Sequence, residues 1–418
     1  MRTRKQIVPG QSTPFSAALA PSSRHRWWAV PLAVVGLAPM VAVAVSSFVP
    51  STALIEKRNC VEVDAAGTCT RRGPAQAVEF AVVPADASPA GSRLTVKGLK
   101  EYDSNADILF VTVREPELRL FEWFLAKGNP GLSGLFSYSD LYRSVTPAQD
   151  RANAFRDMRD AKRDAYYVGL KTLGYDVQLV DEGPAIVQGV TCFARDAAGA
   201  CSKPSPAAGV LEPNDQITSI DGKPVNALGD LGPLVSTHQP GDTITVGYKH
   251  DGEQRQGSVT LAAAPDDGRP LIGIQMADTR VVHLPDNVSI DFDTADIGGP
   301  SAGLSFTLTL IDRLSPGDLT GGKKVAVTGT IDVDGNVGPI GGLQSKASAV
   351  RQAGAHYFIV PFAQGAADIA AAQKAAGSGM TIIPVKTLDE ALAALHSIGG
   401  DPFVKPVEAS SATSTTTA

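Results

Sequence analysis

An uncharged segment of 23 residues, 27–49, is the feature that most limits how this chain can fold. Roughly 20 apolar residues in a helix cross the hydrocarbon of a bilayer, and a helix satisfies the backbone of a single span internally. Five basic residues and no acidic residue precede the segment, whereas only Lys57 and Arg58 closely follow it. This bias predicts a cytoplasmic N-terminus. We therefore expect a basic cytoplasmic tail (1–26), a single-pass anchor in the cell membrane (27–49) and an extracytoplasmic body.

A cleaved signal peptide is the alternative interpretation of the same segment. Ala42-Val43-Ala44 is an acceptable small-residue cleavage site. The long basic region and the full length of the span favour the uncleaved anchor.

The body of the chain is acidic. The whole chain has a net charge of −6, and the five positive charges of residues 1–26 leave −11 on residues 27–418. This charge argues against nucleic acid as a partner.

Four cysteines form two pairs, each nine residues apart. Outside the cytoplasm, local disulfides Cys60–Cys69 and Cys192–Cys201 are the natural interpretation, although four cysteines allow three connectivities. A zinc site is the alternative, but no C-x-x-C motif or nearby histidine supports it.

Residues 50–181 read as an α/β region. Ile108 to Val113 is an apolar run typical of a buried strand. Thr146 to Leu173 predicts a helix, with Pro147 near its start and Gly174 just past its end.

At the other end of the chain, the Ser-, Thr- and Ala-rich residues 403–418 predict a disordered tail.

Residues 182–263 change to short strands separated by Gly and Pro turns. The sequence PAAGVLEPNDQITSIDGKPV, from Pro206 to Val225, resembles a PDZ domain, with Asn214-Asp215 in place of the usual Gly-Asp. The resemblance implies capture of a peptide end by strand addition to a sheet edge, with the carboxylate-binding loop expected near Val187–Val190. A structural β-domain that binds no peptide stays open, because fold does not imply function.

A serine stands at the start of a predicted helix that opens at Gly298-Gly299 and runs through Leu314. Ser301, Leu304, Ser305 and Leu308 share one face of that helix. The unpaired N–H groups and positive dipole of a helix start favour a developing oxyanion. A helix cap is the simpler role for such a serine.

A second predicted helix follows Gly341-Gly342 and carries a lysine on its apolar face. Leu343, Lys346, Ala347 and Val350 fall at helical spacing. Burial disfavours the ammonium form, so Lys346 could be neutral near pH 7 and act as a general base for Ser301. A lysine in this place can also extend to solvent.

The two helices lie within sequences similar to the proteolytic domain of the Lon family. GGPSAG surrounds Ser301, VTGTIDVDGNVGPIGGLQSK ends at Lys346, and residues 355–361 match the following strand. The resemblance covers roughly 265–400 and implies a proteolytic domain at 264–402. It also implies that Ser301 is the nucleophile, Lys346 the catalytic lysine, Thr328 the residue that supports both, and the assembly a homo-oligomer. Gly298-Gly299 and Gln344-Ser345 depart from the family pattern and leave the shape of the pocket open.

Neither a nucleotide, a metal nor another cofactor is implied by these motifs. Residues 317–324 nearly fit the nucleotide-binding motif G-x-x-x-x-G-K-[ST], but the last position is Lys324, which has no hydroxyl for Mg²⁺. The anchor, PDZ-like and Lon-like order resembles the membrane-bound PDZ–Lon proteases of bacteria. We therefore expect a multi-domain α+β protein that is an ATP-independent serine endopeptidase acting on extracytoplasmic proteins or peptides.

Two other functions compete with this interpretation. Residues 299–303 also satisfy G-x-S-x-G, the nucleophile motif of serine esterases, which would need His356 or His396 as the base. The other possibility is a PDZ-type adaptor whose protease-like domain is inactive.

Overall fold

The computed structural model describes residues 39–63, 69–129, 131–142, 146–181, 184–195, 201–264 and 267–406. The predicted tail 1–26, residues 27–38 of the predicted anchor, and residues 407–418 lie outside them. Residues 39–46 are helical (α1). Within the described residues, no helix combines the length and apolar character needed to cross a bilayer.

Eight further helices follow α1 in the described residues: α2 Leu120–Lys127, α3 Tyr138–Tyr142, α4 Pro147–Leu173, α5 Leu228–Ser236, α6 Gly303–Leu314, α7 Leu343–Gln352, α8 Gly365–Ala376 and α9 Leu388–Ser397. The strands before residue 220 are β1 Glu56–Val63, β2 Cys69–Ala77, β3 Phe80–Pro89, β4 Leu94–Lys97, β5 Asp107–Arg114, β6 Gly134–Phe136, β7 Gln178–Val180, β8 Ala185–Val190, β9 Cys192–Arg195, β10 Cys201–Pro204 and β11 Gln216–Ile220. The later strands are β12 Lys223–Pro224, β13 Thr243–His250, β14 Glu253–Thr260, β15 Ala262–Ala263, β16 Pro270–Leu271, β17 Ile274–Met276, β18 Val281–His283, β19 Ser289–Phe292, β20 Lys324–Val327, β21 Thr330–Ile331, β22 Val337–Gly338, β23 Tyr357–Pro361 and β24 Thr381–Val385.

The larger body is built on a six-stranded sheet in the order β24-β23-β20-β5-β3-β6. The first four of these strands are parallel, β3 pairs antiparallel with β5, and β6 pairs antiparallel with β3. Apolar side chains of α6 and α9 belong to one core cluster with strand residues, and those of α7 and α8 belong to another. Covering both faces explains why the parallel strands contain continuous apolar runs, as in Val325 to Val327.

A second sheet forms the smaller body, in the order β14-β13-β11-β8-β17 with β12 beside β11. Its buried side chains include Ile217, Ile244 and Val246, and α5 adds Leu231 and Val235 to the same cluster. The short strands predicted over residues 182–263 include β13 and β14. The multi-domain α+β architecture is therefore confirmed.

The strands differ from the predicted division of the chain in two respects. β3, β5 and β6 come from the region 50–181 but lie in the same sheet as β20 and β23. β17 lies beyond residue 263 but pairs with β8 of the smaller sheet. The smaller body is thus inserted between two parts of the larger one, an arrangement that local sequence patterns do not encode.

The helix predicted over 146–173 shows how local signals set its ends. The Thr146 side chain accepts a hydrogen bond from the Gln149 N–H, Pro147 is the first helical residue, and Gly174 ends the helix at φ 94°. The two predicted disulfides, Cys60–Cys69 and Cys192–Cys201, are present. The helix and both pairings are confirmed.

Candidate active site

The segment before α6 holds Ser301 against α4. The Gly299 N–H donates to the Ala154 carbonyl at 2.7 Å, and Gly299 adopts φ +88°, which favours glycine. A Cβ on Gly298 would lie 2.8 Å from the Ala154 Cβ. Helix α6 begins at Gly303 and not at Gly298, because the left-handed conformation of Gly299 and its hydrogen bond to α4 keep the segment out of the helix. Ser301 therefore lies in the turn that leads into α6.

Helix α7 brings Lys346 to this serine. The Lys346 side chain leaves the helix among the buried Leu343, Ala347 and Val350, and the residue is 2% exposed. Its Nζ is 2.6 Å from the Ser301 Oγ and 3.2 Å from the Thr328 Oγ1. Burial lowers the pKa of the Lys346 amine from 10.5 to about 7. A substantial fraction of the amine is therefore neutral near pH 7 and can accept the hydroxyl proton of Ser301.

Thr328 connects the serine and the lysine. It follows β20 directly and is fully buried. Its hydroxyl donates to the Ser301 carbonyl at 3.1 Å and accepts from the Lys346 Nζ. The Gly329 N–H donates to the same carbonyl at 2.9 Å. Two donors at the end of β20 thus fix the backbone of Ser301, and the structure brings all three predicted site residues together.

Two cavities flank this group, and Ser301 and Lys346 line both of them. The first cavity, of about 450 Å³, has Phe110, Met158 and Ala302 at its base. The second cavity, of about 690 Å³, continues from Ser301 toward β6 and the end of β5. A site with space on both sides of a hydroxyl can hold a chain that extends past it in two directions.

The histidines that an esterase would need are elsewhere. His356 is exposed, and its Nδ1 is 3.1 Å from the Gly379 carbonyl. The Nδ1 of His396 is 2.9 Å from the Gly400 carbonyl. Among the described residues, no histidine lines either cavity beside Ser301. The geometry therefore favours lysine over histidine as the base.

The loop that nearly fits a nucleotide-binding motif uses its amides internally. The N–H groups of Thr320 and Gly322 donate to the carboxylate of Asp318 in the same loop. A phosphate would have to compete with this carboxylate for the same donors.

The smaller body has a groove of its own, in a different place from the predicted one. A cavity of about 300 Å³ lies between α5 and residues 269–276. The expected loop at Val187–Val190 instead belongs to β8, which pairs with both β11 and β17. The prediction near Val187–Val190 was therefore wrong. The apolar run Leu271-Ile272-Gly273-Ile274 was the sequence signal that could have located the groove.

Comparison with known proteins agrees with this division of the chain. Residues 172–261 match the PDZ domain family, and residues 274–397 match the Lon protease (S16) C-terminal proteolytic domain. The Lon protease of Chloroflexus aggregans is 34% identical over 111 residues, which are 27% of this chain and 12% of that protein. The Lon protease of Trichlorobacter lovleyi is 40% identical over 94 residues, 22% of this chain and 11% of that protein. The chain thus spans only about an eighth or less of these two relatives.

Solved structures include similar PDZ domains. The PDZ domain of the SdrC-like protein from Listeria monocytogenes is 29% identical, with a TM-score of 0.20, and the match covers 24% of this chain and 94% of that domain.

The fold, the serine beside a buried amine and the family match define a serine-type peptidase domain. This chain carries a Lon-type proteolytic domain together with a PDZ domain, and no ATPase domain was detected.

Proposed function

We propose that the chain is an ATP-independent serine endopeptidase in which Ser301 is the nucleophile and Lys346 is the general base. The observation that carries this proposal is the 2.6 Å distance between the Ser301 Oγ and the Nζ of a buried lysine. Thr328 positions the amine through its hydroxyl.

The reaction follows from this geometry in two halves. As the Ser301 Oγ attacks the peptide carbonyl carbon, its proton passes to the neutral Lys346 Nζ. The resulting ammonium then protonates the leaving amine as the C–N bond breaks, which leaves an ester on Ser301. Lys346 next takes a proton from water, which attacks the ester and releases the new carboxylate while the proton returns to Ser301.

Backbone amides near Ser301 support the same mechanism. Among the described residues, the N–H groups of Ser301 and Ala302 have no hydrogen-bond partner. They are therefore available to the oxyanion that forms during acylation.

Reaction with a serine-directed probe tests the nucleophile. We expect a fluorophosphonate to add one mass increment at Ser301 of the full chain, located by mass spectrometry of peptides, and Ser301→Ala to prevent the addition. Ser305→Ala is a matched control, because that hydroxyl is buried in α6 and donates to the Ala302 carbonyl. Labelling of another residue in place of Ser301 would defeat the assignment.

The pH dependence tests the base. Only the neutral amine accepts a proton, so kcat/KM should fall about tenfold per pH unit below about 7 and level off above it. Thermal unfolding at each pH separates this titration from loss of the fold. A rate that is flat between pH 5 and 8 would contradict the role of Lys346.

Substrate entry is proposed to use strand addition in both bodies. Strand β17 lies at the edge of its sheet, beside the groove against α5, which suits an added peptide end. In the larger sheet, β6 pairs with Phe80–Val82 only, and Ala85 and Ser88 farther along β3 line the first cavity. A substrate strand could therefore lie along β3 and reach Ser301.

Filling the groove tests peptide capture. A Cβ on Gly232 of α5 meets no atom within 4 Å, so Gly232→Phe should occupy the groove without disturbing the backbone. Fluorescence anisotropy with labelled C-terminal peptides should show binding to the wild type and its loss in the variant. Equal binding by both would place capture elsewhere.

Membrane anchoring by residues 27–49, with the catalytic body outside the cytoplasm, remains part of the proposal. The apolar side chains of α1 are exposed, including Met40 (71%) and Val45 (56%), as expected of a segment that contacts lipid. The Leu120 N–H donates to the Val49 carbonyl, so the folded body starts where the predicted span ends. Retention in membranes at alkaline pH supports the anchor, and a mature N-terminus after Ala44 would contradict it.

We also propose a homo-oligomer, which light scattering of the detergent-solubilised chain would test.

A further inference from the structure

The two cavities beside Ser301 differ in charge. In the first cavity, Arg93 and Arg114 accompany Asp86 and Asp296, so the charges balance. The second cavity is lined by Glu115, Asp140 and Asp150. The one basic residue among the described residues that line it is Lys346, whose pKa of about 7 leaves only part of the amine charged at pH 7. The second cavity is therefore acidic.

Two of its three carboxylates lack a partner in the part of the chain that the structure describes. The Lys57 Nζ lies 2.7 Å from Asp140; burial opposes ionisation of Asp140, but hydrogen bonds from Lys57 and Ser137 outweigh it and lower its pKa to about 2. Among the described residues, the carboxylates of Glu115 and Asp150 accept no hydrogen bond and form no ion pair. Burial raises the pKa of both, and the charge of Asp150 raises that of Glu115 further. A cation placed between them would offset the cost of ionising these two buried carboxylates.

Much of the remaining lining of the second cavity is apolar. Val113, Phe136, Leu141 and Ile340 line it together with the carboxylates. A lysine or arginine side chain has an apolar stem that packs along apolar surface, and its charged end is buried in proteins when it is paired with a carboxylate. A shorter or anionic side chain would leave Glu115 and Asp150 unpaired or repelled.

We propose that the second cavity is the specificity pocket for a lysine or arginine next to the scissile bond, and that Glu115 and Asp150 are its specificity-determining residues. The inference rests on the proposed peptidase function of Ser301 and names the class of substrate for that site. The side chain enters beside Ser301, its stem lies on Phe136 and Ile340, and its charge pairs with the two carboxylates.

Matched peptides and matched variants test this inference on the full chain. Two sets of quenched fluorescent peptides would differ only in having arginine or glutamine at one of the two residues that flank the scissile bond. At one of these residues, we expect kcat/KM of the wild type to be about tenfold or more higher for the arginine peptide than for the glutamine peptide. A difference of this size is what one or two partly buried ion pairs would produce. The Glu115→Gln, Asp150→Asn double variant should lose this ratio. Asp86→Asn, which removes a carboxylate from the first cavity, should keep it.

Labelling separates failure of this inference from failure of the proposed function. An uncharged fluorophosphonate should label Ser301 equally in the wild type and the double variant, because neither carboxylate contacts Ser301 or Lys346. Labelling with equal cleavage of the arginine and glutamine peptides, or with a ratio that survives in the double variant, would overturn the pocket assignment alone. Absence of labelling at Ser301 would overturn the peptidase function and this inference with it.

Discussion

Lys346→Met is expected to reduce peptide hydrolysis on the order of 10⁴-fold and at the same time to make the protein more stable. The activity falls because methionine cannot accept the Ser301 proton, and a general base contributes about 10² to 10⁴ in rate, here to both halves of the reaction. The stability rises because an ammonium group is costly at a site that is 2% exposed and where no carboxylate of the described residues forms an ion pair with it. Methionine has a similar length and no charge.

The size of the stability gain follows from the pKa. In the unfolded chain Lys346 would titrate at its ordinary value of 10.5, and in the folded protein it titrates at about 7. Between these values the unfolded chain binds more protons, so the wild type gains stability relative to the variant as the pH rises from 7 to 10.5. Below pH 7 the cost of burying the charge is fully present. After allowing for the lost hydrogen bonds to Ser301 and Thr328, we expect a gain of roughly 2 kcal/mol at pH 7 that shrinks steadily as the pH rises above 7.

Denaturant unfolding and peptide hydrolysis, measured on the same samples, check both halves of this prediction. Lys374→Met is the control, because Lys374 is exposed on α8, and its replacement should change neither quantity appreciably. A Lys346→Met variant that is less stable than the wild type at pH 7 would mean that the amine is not desolvated. The low pKa of Lys346, on which its proposed role as the general base depends, would then have no physical cause.

How much of this site the sequence could predict depends on which contacts are local. The apolar spacing around Lys346 correctly predicts that its side chain points into the protein, because the periodicity of α7 depends only on residues within it. The contact between Lys346 and Ser301 depends on β20, because Thr328 and Gly329 follow this strand and lie between the two helices. The family resemblance supplied that link, and helix periodicity alone could not have done so.

The parts that sequence reasoning missed all depend on contacts between distant segments. β5 and β20 are neighbours in the sheet, although the whole PDZ domain separates them in the chain. The second cavity collects Glu115 from the end of β5, Asp150 from the first turns of α4, and Ile340 from the segment before α7. None of these residues stands in a pattern with another, so no local signal relates them. The start of α6 was missed for the same reason, since the contact of Gly299 with Ala154 of α4 determines the turn that holds Ser301.

Phe306→Ala is expected to cost the proteolytic domain about 3 to 5 kcal/mol of its free energy of unfolding. Phe306 lies on α6, five residues after Ser301, and is fully buried. Its ring stacks on that of Phe292 with centroids 4.2 Å apart and meets the ring of Phe110 at 5.8 Å. These contacts hold the start of α6 against β5 and β19, so the cavity left by alanine would also loosen the position of Ser301.

Two substitutions calibrate the Phe306 result. Phe306→Leu keeps most of the buried volume and should cost less than the alanine variant, about 1 to 2 kcal/mol. Phe124→Ala removes a ring of the same size that is 72% exposed on α2, and should change the free energy by less than about 0.5 kcal/mol. Thermal and denaturant unfolding would measure the three variants, and fluorophosphonate labelling at a temperature where each is folded would report on Ser301. If Phe306→Ala unfolded like Phe124→Ala, the aromatic stack would not be what fixes the helix that carries the nucleophile, and the position of Ser301 would have to depend on the Gly299 and Thr328 contacts alone.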